Sequence, residues 1–415
     1  MKPNLLFLMQ RLPYPPIKGE KIRNWQILRY LSKWYDVHFG CLIDDPADAP
    51  HIPTVRALCK DMYSPPLDRR LARLTCARGL LTGEPLSVTF FRNADLQRWV
   101  AKVMETIRPE VTFVNSSNMA PYILDLPTTG RRIVELGDID SEKFFSYAEK
   151  ASGPMRFVYR REGRVLRELE KRIARECDES VFVTEAEASM FRAMVPDRAS
   201  HVLGIRCGVD HRYFDPALPH EALYDPKIST FTFTGTMDYP PNVEAVVWFA
   251  REILPLIRRA IPQARFFIVG NNPSDDVKRL GKLEGVTVTG GVPDVRPYVF
   301  HATAAVAPMR IARGIQNKVL EAMAMGKPVI VTVGALEGID AIPGRDLILA
   351  NDTNAIAQAC IRMASPDGQA EARALGAAAR RLILDHYDWD ACLSDFDPLV
   401  KPLDAPAPAL ERTDA

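Results

Sequence analysis

The feature that most constrains this chain is an alternation of strand-like and helical runs that completes itself once and then begins again. "NLLFLM" (Asn4–Met9) reads as a buried strand. "EKIRNWQILRYLSKW" (Glu20–Trp34) reads as a helix with Ile22, Trp25, Leu28 and Leu31 on its apolar side. "DVHFGCLI" (Asp36–Ile43), "VTFVNS" (Val111–Ser116), "RRIVEL" (Arg131–Leu136) and "ESVFVT" (Glu179–Thr184) are further strands. Alternation of this kind implies a parallel sheet covered by helices on both faces. After about Leu203 the pattern restarts. Strands are expected at "STFTFTG" (Ser229–Gly235), "ARFFIVG" (Ala264–Gly270), "VTVTG" (Val286–Gly290), "AAVAPM" (Ala304–Met309) and "KPVIVT" (Lys327–Thr332). A helix entered through proline spans Pro240–Pro262. The expected division is therefore 1–204 and 205–384, joined near "GIRCGVDHRYFDP" (Gly204–Pro216). The segment 401–415, "KPLDAPAPALERTDA", reads as a disordered tail. A length of 415 residues suits two or three domains.

Composition narrows the function. Hydrophobic residues make up 47%, enough for substantial cores, and the net charge of +1 gives no global field of the kind that binds nucleic acid. Cys41, Cys59, Cys76, Cys177, Cys207, Cys360 and Cys392 are dispersed without a C-x-x-C pair. They read as reduced thiols of a cytosolic protein, and no zinc site is expected. The opening "MKPNLLFLMQRLPYPP" lacks the long apolar region of a signal peptide, and no run is long enough to span a bilayer. The expected location is the cytoplasm or the inner face of the plasma membrane. The seven histidines show no H-E-x-x-H spacing. The absence of a P-loop, a G-x-S-x-G and a G-x-G-x-x-G argues against an ATPase, an esterase and an ordinary dehydrogenase.

The stretch carrying most chemistry is "RGIQNKVLEAMAMGKPVI" (Arg313–Ile330). Its helix is expected to start near Gln316 or Asn317 and to stop at Gly326, with Pro328 beyond. A strand feeding a helix places ligands at the strand's carboxyl end. The first helical amides lack partners and the dipole favours an anion. Gly314 admits that anion to the backbone, while Arg313 and Lys318 add full charges; a diphosphate fits better than a single carboxylate. Glu321 lies three residues beyond Lys318, on the same helix face. A carboxylate is repelled by phosphate but accepts two hydroxyls of a ribose, so the combination suggests a nucleotide. Read without a ligand, the same stretch is a crossover helix with Met323 and Met325 in the core and solvated charges. The residues alone leave both readings open.

"NKVLEAMAMGKPVI" resembles the donor-binding helix of family 4 glycosyltransferases, retaining enzymes of the GT-B fold. "CGVDHRYFDP" (Cys207–Pro216) resembles the family's interdomain run, and Phe233–Gly270 resembles the first strand, helix and second strand of its nucleotide-binding domain. "YDWDACL" (Tyr387–Leu393) resembles the helix that returns to the first domain, near 385–400. "RLPYPPIKGEKIRNWQILRYL" resembles the family's first loop, and a subgroup associated with PEP-CTERM/exosortase-type exopolysaccharide clusters. The resemblance implies two Rossmann-like α/β domains with parallel sheets facing a central cleft. It implies a nucleotide-diphosphate sugar as donor substrate, a glycan or lipid-linked acceptor, and no metal or resident cofactor. Two positions depart from the family. Of its two glutamates eight positions apart, the second falls on Glu321 but the first falls on Arg313. The arginine and lysine usual after the strand ending here at Gly235 are replaced by "GTMDYPPN". The expectation is that Arg310, Arg313 and Lys318 carry the diphosphate charge instead.

On this reading Arg313, Lys318, Glu321 and Asp138 are the catalytic candidates. Gly235, Pro293, Arg310, Gly314, Gln316 and Asn317 are donor-binding candidates in the second unit, with Gly19 and Arg23 from "PYPPIKGEKIR" in the first. Pro293 belongs to "GGVPDV" (Gly290–Val295), whose backbone reads the base edge if the family loop is a guide. Asp138 and Asp140 form a D-x-D pair, which in another glycosyltransferase architecture holds a divalent metal on the diphosphate; here Asp138 reads as an acceptor or sugar contact, or equally as a helix cap or loop carboxylate. "NSSN" (Asn115–Asn118) either lines the acceptor side or is a simple turn, Thr184 with Glu187 reads as a capping box, and His301 as a helix-end residue. "RFVYRREGRVLRELEKRIAR" (Arg156–Arg175) and "LDRRLARLTCARGLLTG" (Leu67–Gly83) are basic; each suits an anionic membrane surface or a solvated helix face. Two rivals remain: a sugar-nucleotide epimerase of the same architecture, and a degenerate nucleotide-sugar-binding scaffold.

Overall fold

The computed structural model describes residues 2–16, 19–127, 130–225, 227–310 and 314–401. The chain forms two compact units, Met1–Arg206 with Leu393–Ala415, and Cys207–Cys392. Each is a Rossmann-like α/β unit built on a parallel sheet. The tail from residue 402 onward lies outside the described residues.

The first unit holds β1 (Asn4–Arg11), β2 (Asp36–Leu42), β3 (Asp61–Tyr63), β4 (Val111–Asn115), β5 (Arg131–Gly137), β6 (Glu179–Phe182) and β7 (Val202–Gly204). They lie in the order β3-β2-β1-β4-β5-β6-β7, with every neighbouring pair parallel. The central strands are continuous apolar runs because helices cover both faces. Phe7 of β1 meets Phe39 and Phe113 edge-on at 5.4 and 5.3 Å, which ties the three middle strands through one ring. The order turns back between β1 and β4, and that is the topological switch point of this sheet. The segment Leu393–Val400 packs onto this unit: Tyr35 Oη donates to the carbonyl of Val400 at 2.5 Å, and Arg131 donates to those of Pro398 and Leu399.

The second unit holds β8 (Thr230–Thr234), β9 (Arg265–Val269), β10 (Val286–Gly290), β11 (Ala304–Ala307), β12 (Val329–Val331) and β13 (Ile348–Leu349). Their order is β10-β9-β8-β11-β12-β13, again all parallel, with the switch point between β8 and β11. β3, β7 and β13 are the strands that the sequence pattern does not announce. Each is a two- or three-residue edge strand, too short for periodicity to register. The predicted helix Pro240–Pro262 is also modified. Helix Pro240–Trp248 passes through one wide π turn, Phe249–Ile253, into helix Leu254–Ala260. Pro255 has no amide hydrogen for the carbonyl four residues back, and the widened turn relieves its ring's clash there.

Two glycines set how closely the strand ends of the second unit meet. A Cβ on Gly270, whose φ is 150°, would lie 1.7 Å from the carbonyl oxygen of Gly235. Gly235 N donates to Val269 O at 3.0 Å, and Gly270 N to Gly290 O at 3.1 Å. The ends of β8, β9 and β10 are thus drawn together where only glycine fits.

Arg23, expected at a ligand, is instead part of the first unit's interior. Its Nε donates to Glu135 Oε1 at 2.5 Å, and its terminal nitrogens donate to the carbonyls of Arg206 and Ile205, each at 2.8 Å. Glu135 also accepts from Asn115 Nδ2 at 3.0 Å. Both members of the ion pair are buried. A helix side chain whose place in the sequence suits an anion has therefore found a buried carboxylate and the unit's last carbonyls. Removing one partner strands the other charge. Arg23→Met is expected to destabilise the first unit by about 3–5 kcal/mol, with part of the loss recovered in the Arg23→Met/Glu135→Leu double variant. Denaturant unfolding of the two variants checks this; a single variant as stable as the parent would contradict it.

Candidate functional site

The helix carrying the opening motif runs Asn317–Ala324, starting at Gln316 and closing through Gly326 in the left-handed region at φ 64°. It bridges β11 and β12. Val319, Leu320, Ala322, Met323 and Ala324 are buried, so the apolar side faces the sheet core, and Met323 is indeed a core residue. Lys318 and Glu321 are left on the half-buried side. Gln316 makes no side-chain cap to the helix amides. Its Nε2 donates to the carbonyl of Gly314 at 3.2 Å, and its Oε1 accepts from Lys318 Nζ at 3.0 Å. Gly314 is buried at φ 66°, a conformation that suits glycine in the approach to the helix.

Lys318 reaches the switch point. A Cβ on Gly235 would stand 3.5 Å from Lys318 Cε and 2.8 Å from Asn242 Nδ2. The ammonium lies 5.2 Å from the ring centroid of Phe233, in β8. The strand end at Gly235 and the helix start at Gln316 therefore share one small space at the carboxyl edge of β8 and β11. Burial lowers the Lys318 pKa to about 8, opposed by the charge of Glu321. Burial likewise raises the Glu321 carboxyl to about 7, opposed by Lys318. Both groups have lost solvation that neither fully restores to the other. An incoming dianion would restore it for Lys318, and a diol would do so for Glu321.

Of the remaining candidates in this unit, Arg310, Asn317 and Pro293 lie among the described residues. Arg310 follows β11 and is exposed, its guanidinium 4.0 Å above the Trp248 ring. Asn317 is half-buried at the first helical position, and Pro293 is exposed in the turn after β10. Arg313 lies outside the described residues. His301 closes the helix Arg296–Phe300, as its position suggests. Sequence reasoning missed Arg380. Its Nη1 donates to the carbonyls of Ala324, His211 and Phe214, and its Nη2 pairs with Asp215 at 3.3 Å. It pins the carboxyl end of the Lys318 helix to the run that begins the unit. Nothing in the sequence sets Arg380 apart from Arg373 or Arg381.

In the first unit, Gly19 is exposed at the first residue of the helix Gly19–Trp34. Asp138 follows β5 and stands one residue before Ile139, the cap residue of the next helix, Asp140–Lys150. Ile139 N donates to Glu187 Oε2 at 2.9 Å, while Thr184 caps Glu187 N. Asp140 turns inward, accepting from Ser117 Oγ at 3.0 Å, and burial raises its pKa. Glu170 accepts from Ser141 N and Oγ, and burial raises its pKa to about 8. Among the described residues no group of three His, Cys, Asp or Glu side chains is placed to hold a metal ion. The turn after β4 is closed by Met119 N, which donates to Ser116 O at 3.1 Å, and is tied to β1 by Gln10 Nε2, which donates to Ser116 Oγ at 3.0 Å; Ser116 has φ 81°. No helix among the described residues is long and apolar enough to cross a membrane.

Two doubly wound parallel sheets, one with a lysine and a carboxylate presented at its switch point, define a two-domain Rossmann-like protein of the GT-B kind. Residues 228–365, within the second unit, match the family described as "Glycosyl transferases group 1". No curated protein sequence matches the chain. Among solved structures, sucrose-phosphate synthase from Thermosynechococcus elongatus is 18% identical with a TM-score of 0.69, the match covering 96% of this chain and 98% of that one. HepE of Anabaena in complex with UDP is 14% identical, with a TM-score of 0.64 over 96% of this chain and 99% of that one. WaaG, a glycosyltransferase involved in lipopolysaccharide biosynthesis, is 12% identical, with a TM-score of 0.66 over 96% and 100%. At such identities these likenesses show the fold.

The lowered Lys318 pKa gives a pH dependence with a definite sign. The protonated amine is the form that attracts an anion, so affinity for a diphosphate is full below about 8 and falls as pH rises through it. Calorimetric titration with UDP is expected to show that fall, by up to about tenfold per pH unit. Lys318→Met should bind more weakly throughout and lose the fall.

Proposed function

We propose that the chain is a retaining glycosyltransferase that moves a sugar from a nucleotide-diphosphate sugar to a glycan or lipid-linked acceptor, in exopolysaccharide assembly. The observation that carries the reading is the meeting of Lys318 with the Gly235 strand end at the β8/β11 switch point, with Glu321 one turn along the same helix face. The group 1 match supports sugar transfer. The HepE structures contain UDP or UDP-glucose, and a TarM structure contains UDP. In this proposal Lys318, Arg310, Arg313 and the helix amides neutralise the leaving diphosphate, and Glu321 accepts the ribose hydroxyls. The diphosphate assists removal of the acceptor proton as the acceptor attacks the face from which the leaving group departs. Asp138 contacts the acceptor or the donor sugar. The chain's task is positioning and leaving-group stabilisation. Cations and the helix dipole supply the positive charge, so transfer is expected to survive a chelator.

The direct test incubates the protein with UDP- and GDP-sugars and follows nucleoside diphosphate release with and without acceptor glycans. Acceptor-dependent release is expected, and Lys318→Ala should lower turnover about a hundredfold. Tight nucleotide binding without turnover would instead support a scaffold, and interconversion of the free nucleotide-sugar an epimerase.

The proposal also includes peripheral contact with an anionic membrane. The basic helices Arg69–Thr82 and Pro154–Glu176 expose Leu74 and Phe157, each at 73%. Arginine beside protruding apolar groups suits a lipid surface carrying negative headgroups. Vesicles containing anionic lipid should sediment the protein at low salt. A Leu74→Ser/Phe157→Ser variant should stay in the supernatant, and equal sedimentation of the two would remove this part of the reading.

A further inference from the structure

A charged cluster at the carboxyl edge of the first sheet takes no part in the donor chemistry. Arg11 is the last residue of β1, Asp44 stands two residues beyond β2, and Arg69 opens the helix Arg69–Thr82. Arg11 Nε donates to Asp44 Oδ2 at 2.9 Å. Arg69 Nε and Nη2 donate to the same oxygen at 3.2 and 3.1 Å. Two guanidiniums from different elements therefore converge on one carboxylate oxygen. β1 flanks the switch point of its sheet, and the carboxyl ends of strands there are where open α/β sheets take ligands.

The burial of the three groups is unequal. The Asp44 side chain is 1% exposed, while those of Arg11 and Arg69 are 28% and 48% exposed. The carboxylate lies beneath, and the cations stand between it and solvent. A buried carboxylate needs a partner, and one arginine would supply the charge. The second arginine is more than that balance requires. Glu20 offsets part of the surplus from an exposed position, 3.3 Å from Arg11 Nη1. Asp68 is occupied by the helix's own amides, Arg70 N and Leu71 N. Among the described residues, Arg11 Nη2 and Arg69 Nη1 meet no acceptor. Arg11 is held a second time by the Phe91 ring, whose centroid is 5.1 Å from its guanidinium carbon. Arg73, one turn beyond Arg69 on the same helix, is exposed as well.

We propose that Arg11 and Arg69 bind a negatively charged group of the acceptor, a phosphate or a carboxylate, and that Asp44 is a positioning residue that aims both guanidiniums. The proposal rests on the reading that the chain transfers a sugar, and it names the class of the acceptor as an anionic saccharide. A guanidinium matches either anion through paired N–H donors. Two that are already fixed by a buried carboxylate lose little side-chain freedom on binding.

Transfer assays on the whole chain compare three acceptors with the nucleotide-sugar that the parent uses best. They are a neutral glucose disaccharide, a disaccharide bearing glucuronic acid, and a short prenyl diphosphate carrying one glucose. The parent is expected to show a KM at least about tenfold lower for a charged acceptor than for the neutral one. That KM should rise with salt. Preference for the glucuronide assigns the anion to a glycan, and preference for the prenyl diphosphate assigns it to a lipid carrier. Arg69→Met should raise KM for the charged acceptor about tenfold, with the KM of the donor and the affinity for UDP within about twofold of the parent. Arg69→Lys keeps the charge without the fork and should recover part of the loss. Asp44→Asn should raise the same KM while its salt dependence persists, since both arginines remain. Equal KM for neutral and charged acceptors in the parent overturns the inference. So does an unchanged KM in Arg69→Met, or a loss of UDP affinity in that variant equal to its loss for the acceptor. Failure to transfer to any of the three acceptors, charged or neutral, overturns the transferase reading beneath it.

Discussion

The second unit depends on a backbone contact that only glycine allows. The Gly235 carbonyl occupies the space a side chain on Gly270 would need. Because the two strand ends approach so closely, the chain leaving β8 turns sharply beside the start of the Lys318 helix. The lysine, in the first turn of that helix, then lies beside bare backbone. A Cβ at Gly235 would also collide with Asn242, at 2.8 Å, and would stand in van der Waals contact with the Lys318 side chain. The chemistry proposed for this unit starts from that absence of side chain, and the charges follow from it.

Burial then gives those charges their character. A lysine with a pKa near 8 and a glutamate near 7 form a pair whose solvation is incomplete in both members. The structure contrasts this with Arg23 and Glu135. There the arginine's donors are met by a carboxylate and two backbone carbonyls, and the carboxylate also accepts from Asn115. One site has closed its polar network within the protein, and the other has groups that a ligand would complete. This difference, more than the presence of a cation, separates a structural arginine from the lysine proposed to meet a ligand.

Much of the architecture was legible in the sequence because parallel strands buried on both faces are continuous apolar runs. β1, β8, β9 and β10 fall where such runs stand, and the Lys318 helix begins and ends at its expected signals, Gln316 and Gly326. β3, β7 and β13 left no comparable trace, since edge strands of two or three residues are defined by the neighbour they pair with. The site was partly legible for a related reason. Lys318 and Glu321 share a helix face by spacing alone, whereas Arg380, Arg11 and Arg69 act on segments far away in the chain, and no local pattern marks them. Asp138 and Asp140 look alike as a D-x-D pair, yet Asp140 is drawn inward to Ser117.

By itself the sequence determined that two parallel-sheet units would form, where the glycine turn and the Lys318 helix would stand, and which face of that helix would be charged. These follow from local periodicity, capping and the steric freedom of glycine, all of which act within a few residues. Only the tertiary structure decided that Arg23 would be consumed by Glu135, that Arg380 would anchor the end of the Lys318 helix, and that Arg11 and Arg69 would converge on Asp44. Those outcomes depend on which distant groups burial brings within hydrogen-bonding distance, and a side chain's partner is fixed by the packing of the whole unit.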